Sequence, residues 1–244
     1  MMWRKHKTTN EIEFVATDKY AFEVCPKPFP ASQAIPQWWK DATPYTKSPE
    51  NLDGKKIIIK NSESNASFKK CTPMLDMLSS GYVVPLWTDV QIRNVNGLPI
   101  ITWRTSRDVF ELHNGQEVEI PDGYQQSQFK FLNQWVPKLP KGFSAIIMPC
   151  PGYPNNAFRP ISGIIDYDKS NHALYPPMYL KEGFEGIIEK GTPMFQIIPF
   201  KRNNWKSKFS FLEDGQLQIN MNRDVKATLV NNYVKNVWEK KSYK

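Results

Sequence analysis

Three linked runs decide how this chain folds: Trp135-Val-Pro-Lys-Leu-Pro-Lys-Gly-Phe-Ser-Ala-Ile-Ile-Met-Pro149, Ser162-Gly-Ile-Ile-Asp166, and Glu185-Gly-Ile-Ile-Glu-Lys-Gly-Thr-Pro-Met-Phe-Gln-Ile-Ile-Pro-Phe200. Apolar segments only a few residues long alternate with Gly and Pro. Runs that short, rich in Ile and aromatics and bounded by breakers, read as strands buried on both faces. The centre of the chain is therefore expected to be a small strand-built body with Gly and Pro at its corners.

Composition agrees. The 244 residues suit one large domain with attachments, and 14 Phe, 8 Trp and 10 Tyr supply a substantial core. Most of the 20 Pro stand at the ends of apolar runs, where a missing N–H disturbs strand pairing least. The net charge is +8. Its basic clusters are Arg4-Lys5-His6-Lys7, Lys201-Arg202 with Lys206 and Lys208, and Lys240-Lys241 with Lys244. No sustained aromatic-plus-basic stripe marks a nucleic-acid platform, so nucleic acid is not specifically indicated as a partner. Three widely spaced cysteines, Cys25, Cys71 and Cys150, fit a reducing compartment better than a disulfide scaffold. No apolar run is long enough to span a membrane, and the charged N-terminus has no signal-peptide core, so a cytoplasmic site and no membrane are expected.

Outward from the centre, residues 1–56 read as an extended Pro/aromatic-rich arm carrying Cys25-Pro-Lys-Pro-Phe-Pro30 and Ile35-Pro-Gln-Trp-Trp-Lys40. Ile12, Phe14 and Val15 mark one short strand in it. Trp38 and Trp39 either stack on a ligand or cover a hydrophobic flank, the commoner use. Residues 57–222 read as the β-barrel domain, with the strand-like Lys56-Ile-Ile-Ile-Lys60 at its start. Thr72 as N-cap and Pro73 at the first helical position predict a short helix near 73–80, ended by Gly81. Tyr82–Trp87 then reads as a strand. Asn96-Gly97, Asn114-Gly115 and Asp214-Gly215 each sit between apolar alternations and predict three hairpins. Residues 223–244 read as a C-terminal amphipathic helix with a basic tail: Val225, Leu229, Tyr233 and Val237 recur every fourth position from about Asp224 to Lys240.

For chemistry the residues are sparing. His6, His113 and His172 are scattered, with no metal-ligand spacing, so no metal site is expected. There is no nucleophile elbow and no phosphate-cradling glycine loop. Cys150, between two prolines and without a neighbouring base, reads as inert.

Leu139-Pro-Lys-Gly-Phe-Ser-Ala-Ile-Ile-Met-Pro149, Gly163-Ile-Ile-Asp166 and Gly191-Thr-Pro-Met-Phe-Gln196-Ile-Ile, in that order and rough spacing over residues 118–200, resemble the dUTPase and dCTP deaminase superfamily; Ser80-Gly81-Tyr82 resembles that family's Ala-Gly-Tyr start. The resemblance implies a mainly β fold, a β-clip or distorted barrel, in a homo-oligomer that is usually a trimer with nucleotide sites between subunits. It implies that Asp166 stands where the family's sugar-contacting, water-orienting aspartate does, able to act as a general base. Gln196 stands at the family's fourth-motif glutamine, and Gly163 and Gly191 at its turn glycines. Departures weaken the chemistry. Pro149-Cys-Pro-Gly152 replaces Pro-Arg-Ser-Gly, so the phosphate-handling Arg and Ser are gone. Val83, Lys169 and Pro193 replace the family's Asp, Tyr and basic residue. A triphosphate needs such donors, and usually Mg²⁺.

Over nearly its whole length the chain also resembles a family of proteins of T4-like marine phages, chiefly cyanophages. The carriers are Trp38-Trp39-Lys40, Cys71-Thr-Pro-Met-Leu-Asp-Met77 with Ser80-Gly-Tyr82, Phe131-x-Asn133-x-Trp135, Ser162-Gly-Ile-Ile-Asp166, and Gly191 through Lys201-Arg202. That resemblance implies a viral origin, with the host cytoplasm or the virion as its location. Two functions of different class follow. One is a non-catalytic phage protein, a virion or assembly component or a host-interaction factor, with no cofactor and with virion proteins as partners. The other is a nucleotide-binding or nucleotide-modifying protein, a hydrolase or deaminase type. It would use Mg²⁺ and a divergent site around Asp166 and Gln196, with Tyr153, Gly163 and Arg159 as further ligand contacts and Arg159 replacing the missing arginine.

Overall fold

A computed structural model describes residues 10–44, 67–113, 119–153, 155–213, 215–217, 219, 234–235 and 237–244. The Lys56–Lys60 run, the Asn114-Gly115 turn, the Arg4–Lys7 cluster and most of the expected C-terminal helix lie outside the described residues.

The chain is mainly β. The first part carries β1 (Glu13–Ala16), α1 (Lys19–Val24), β2 (Phe29–Pro30) and α2 (Gln37–Asp41). After α3 (Thr72–Ser79) come β3 (Tyr82–Pro85), β4 (Val90–Val95), β5 (Leu98–Trp103) and β6 (Phe110–His113). Then follow β7 (Tyr124–Phe131), β8 (Trp135–Lys138), β9 (Phe143–Met148), β10 (Phe158–Pro160) and β11 (Gly163–Ile165). Last are β12 (Pro177–Lys181), β13 (Gly186–Ile188) and β14 (Pro193–Lys201). They form four antiparallel sheets, in the orders β1-β8, β10-β12-β7-β6, β11-β9-β14-β3-β2 and β13-β4-β5. Among the described residues this is a distorted stack of sheets, and no barrel closes.

Every apolar run of the deciding stretch is a strand, but the burial is uneven. β9 and β14 are central, and Phe195, Ile147 and Ile197 are sealed in the core. The two Gly-Ile-Ile strands, β11 and β13, lie at sheet edges, with Ile164 65% and Ile187 64% exposed. Expecting both faces of these two to be buried is therefore wrong: three residues at a sheet edge have a neighbouring strand on one side only. The core joins the sheets through rings. Phe110 stacks on Phe158 with centroids 4.4 Å apart, and Phe131 meets Phe195 edge-on at 6.3 Å.

The Asn96-Gly97 turn forms as read: both residues take positive φ, 53° and 80°, and β4 pairs with β5 across them. β6 pairs with β7. Residues 202–213, where the third hairpin was expected to begin, contain no strand, and Gln216 and Leu217 are helical. The alternation of Phe209 and Phe211 is present, but among the described residues no strand pairs with it. The N-terminal arm is also less extended than its prolines imply. Asp18 caps α1 by accepting the Ala21 N–H at 2.8 Å, and α2 places Trp39 in the interior. Trp38 and Trp39 meet edge-on at 5.8 Å, and the Trp38 indole donates to the Gly152 carbonyl, so the pair covers a flank.

α3 begins at Thr72, one residue earlier than expected, with Cys71 as its cap, because the Cys71 carbonyl already accepts the Met74 and Leu75 N–H groups. Gly81 after it is obligatory. Its φ is +71°, and a Cβ there would lie 2.0 Å from the Ile197 carbonyl oxygen of β14. This close approach brings α3 onto the central sheet. Residues 238–243 dock on the same helix and on β3: the Trp238 indole donates to Asp76, Lys241 pairs with Asp76 at 2.7 Å, and Tyr243 packs edge-on against Tyr82.

Candidate functional site

The residues singled out in sequence fall into two separate places on the central sheet. Asp166 follows β11 and faces Ser144 of β9. Gln196 lies on β14 opposite Met148. Four residues of β9 separate these levels, roughly 13 Å at ~3.3 Å per residue. Asp166 and Gln196 therefore do not share one compact site.

Around Asp166 the chain builds a polar cluster. Its carboxylate accepts the Ser144 hydroxyl at 2.6 Å and stands 3.2 Å from the Arg202 guanidinium. The Ser144 bond, seconded by Arg202, holds its pKa below the usual carboxylate range. Two residues on, Asp168 is enclosed, its side chain 2% exposed. It receives both terminal nitrogens of Arg202 and the Gly142 N–H. These donors, Arg202 first, depress its pKa further. Arg202 also donates to the Phe143 carbonyl and the Ser144 hydroxyl. Asp166 is thus ionised and half exposed, as a general base must be, but its neighbouring cation is already bound to a second carboxylate.

Sequence reading missed Asp168, Ser144 and Arg202 as members of this cluster. The available signal was Asp166-x-Asp168, two carboxylates close together just past a strand. The link to Arg202 depends on the pairing of β9 with β14, which places Lys201 opposite Phe143. No local pattern encodes that pairing.

Gln196 is buried at 1% exposure, and its amide nitrogen donates to the Met77 carbonyl at 3.0 Å and the Ser80 carbonyl at 2.6 Å. It satisfies the C-terminal carbonyls of α3. Tyr153 and Arg159 do come together. With Tyr124, Cys150, Asn155 and Met194 they line a cleft of about 260 Å³. Gly163 opens β11 opposite Ile147, with open space where a Cβ would stand. Cys150 is buried, and burial pushes its thiol up to about 12, which removes the thiolate a nucleophile needs. Among the described residues no group of three His, Cys, Asp or Glu side chains is placed to hold a metal. No helix among them is long and apolar enough to cross a membrane.

The segment after the cluster is unlike the rest of the surface. Residues 203–212 leave β14 without secondary structure or any hydrogen bond among the described residues. Trp205, Phe209 and Phe211 are 88%, 92% and 90% exposed. Lys206 and Lys208 alternate with them. Arg202 stands at the root of this arm, with its N–H bonded to the Gly142 carbonyl at 2.9 Å and its guanidinium held by Asp168.

No protein-family model matches the chain, and no curated protein matches it.

Proposed function

We propose that this is a non-catalytic protein of a T4-like phage that acts by joining other proteins, as a virion or assembly component or as a host-interaction factor. The observation that carries this reading is the 203–212 arm, three aromatic rings held in water beside two lysines. Isolated exposed rings are ordinary, but a run of them on an unpaired segment is a binding element awaiting a surface. The Asp166 cluster fits the same reading. Its arginine is Arg202, and Asp168 and Asp166 already bind it, so among the described residues the cluster offers a polyphosphate no unpaired guanidinium. On this view Ser144, Asp166 and Asp168 clamp the root of the arm to the sheet. The resemblance to the β-clip superfamily then concerns scaffold and not chemistry.

A second reading rests on one observation, the cleft that unites Tyr153 and Arg159. A ring and a guanidinium in about 260 Å³ suit a nucleobase and one phosphate better than a whole nucleoside triphosphate.

Mass spectrometry of purified virions, with the protein quantified against known head and tail proteins, tests the virion form of the first reading. Its absence from washed particles removes that form. Melting the purified protein with dUTP, dCTP and other nucleotides, with and without Mg²⁺, tests the second. A ligand at 100 times its dissociation constant adds about 2.7 kcal/mol to the native state, so a flat panel ends that reading.

A further inference from the structure

We propose that the cavity where residues 10–12, β3, β9, β14 and residues 241–243 meet binds an organic cation, an alkylammonium group held against the Tyr82, Phe143 and Tyr243 rings beside the Glu11 carboxylate. The inference makes no use of the 203–212 arm and goes beyond the function proposed above.

The cavity holds about 300 Å³, enough for a small ligand. Its apolar wall comes from Ile12, Leu139 and Pro199 together with the three rings. Tyr82 and Tyr243 stand with centroids 6.0 Å apart and planes at 85°, so the two rings bound a corner. Phe14 packs on Tyr82 at 5.3 Å and ties that ring to the core. The Tyr82 hydroxyl already donates to the Lys244 carbonyl at 3.2 Å, which leaves the ring, and not the oxygen, to meet a ligand. Burial first, and Tyr243 second, push the Tyr82 phenol above the ordinary tyrosine range, so it stays neutral. Aromatic faces carry partial negative charge, and rings set at an angle present more than one face to a single cation.

Charge in the lining points the same way. The charged side chains that line the cavity are Glu11 and Lys241. Lys241 Nζ lies 2.7 Å from Asp76, which also accepts the Trp238 indole N–H, so that ammonium is paired. The Glu11 carboxylate is exposed and joins no ion pair among the described residues. An anion would meet ring faces and a carboxylate, with the lining ammonium already bound. A neutral apolar guest would leave the carboxylate unused. A cation with an apolar surface uses both. Lys138, Lys141, Lys240 and Lys244 are exposed and adjoin lining residues in sequence, and Glu13 pairs in register with Lys138. In a chain of net charge +8 no long-range field draws a cation in, so recognition is at contact, through the ring faces and one carboxylate. That selects an alkylammonium over a metal ion, because its methyl groups also gain from the apolar wall.

The test titrates the full chain by calorimetry with choline and with neohexyl alcohol, its uncharged carbon isostere. Saturable binding of choline, ~10-fold or more tighter than the alcohol, is expected. Tyr243→Leu should weaken choline ~3- to 10-fold, whereas Tyr243→Phe, which keeps the ring, should bind as the parent does. Glu11→Gln changes an exposed side chain, so it should melt as the parent does while binding choline ~3- to 10-fold more weakly. If Tyr243→Leu lowers the melting curve by loosening the docked residues, Glu11→Gln decides alone. Spermidine and a short peptide bearing one trimethyllysine compare a free amine with a side chain as the source of the cation, and the tighter of the two names it. Equal binding of choline and the alcohol overturns the proposal, since the cavity would then be selecting for apolar shape only. So does choline binding that is unchanged in Glu11→Gln, or no saturation by ~10 mM choline. None of these measurements involves virions or the arm, so this site and the proposed function stand or fall separately.

Discussion

Replacing Gln196 with Leu separates a structural from a ligand-binding role at the residue that sequence reading assigned to ligand contact. The side chain is 1% exposed, and leucine fills similar space. The packing loss is small, and the change is concentrated in two hydrogen bonds. Both run from one amide nitrogen to carbonyls at the end of α3, on Met77 and Ser80. A buried acceptor left without a donor costs ~1–3 kcal/mol. Two would reach ~6 kcal/mol, but water can approach Ser80 and the half-exposed Met77, so we take ~2–4 kcal/mol. For a chain of this size each kcal/mol moves the melting temperature by ~2–4 °C. Gln196→Leu should therefore melt about 5–15 °C lower by circular dichroism, in the absence of any ligand. Gln196→Glu provides the internal control. A carboxylate facing two carbonyls donates only when protonated, so its folded pKa is raised and the folded state binds the extra proton. Its stability must recover as pH falls from 8 toward 5. A Leu variant that melts within ~2 °C of the parent, or a Glu variant indifferent to pH, refutes the capping argument.

Three further outcomes follow from the same geometry. Gly81→Ala should lose ~2 kcal/mol or more and accumulate in inclusion bodies, because positive φ and a 2.0 Å approach to Ile197 act together, whereas Gly163→Ala should melt as the parent does. Asp168 titrates below its unfolded value, so its stabilisation is complete above that value, about pH 4, and is lost as pH falls through the folded pKa; Asp168→Asn should flatten the acid side of a plot of melting temperature against pH. Alkylation of the native protein near neutral pH should modify Cys71 and spare Cys150 until denaturant is added, since burial pushes the Cys150 thiol up to about 12.

How much was legible depended on the range of the interaction that decides each element. The Asn96-Gly97 hairpin, α3 and the strands of the deciding stretch are set by spacing within a few residues, and these were read. The Asp214-Gly215 motif was equally local, yet residues 208–213 stayed unpaired. A turn dipeptide permits a hairpin, and the facing strand must still be present and packed. α1 forms despite the proline-rich run that follows it, because Asp18 caps it and its six residues end before the first proline, Pro26. At the site, Asp166 was found by its Gly-Ile-Ile-Asp context, while Asp168 and Arg202 stand 34 positions apart in the chain. Gln196 was noticed for its place in a motif, and only coordinates reveal the helix end that occupies its amide.

The position of Arg202 ties these threads together. It is the first residue past β14, and its backbone N–H makes the last hydrogen bond to the body before ten residues that make none. An arm that carries load to another protein pulls on its root, and a root held by one backbone bond would peel. Here the guanidinium adds bonds to Ser144 and the Phe143 carbonyl on β9, the strand beside β14, and to Asp168 in the turn after β11. Arg202→Lys tests the two views of the cluster against each other. Lysine keeps the charge beside Asp166 but loses the two-pronged grip on Asp168. If the carboxylates serve chemistry at Asp166, the variant should keep any nucleotide effect the parent shows. If they serve the arm, the body should melt near its parental temperature while proteolysis between Arg202 and Lys208 accelerates and association weakens. An unchanged digestion rate would mean that the clamp and the arm are unrelated.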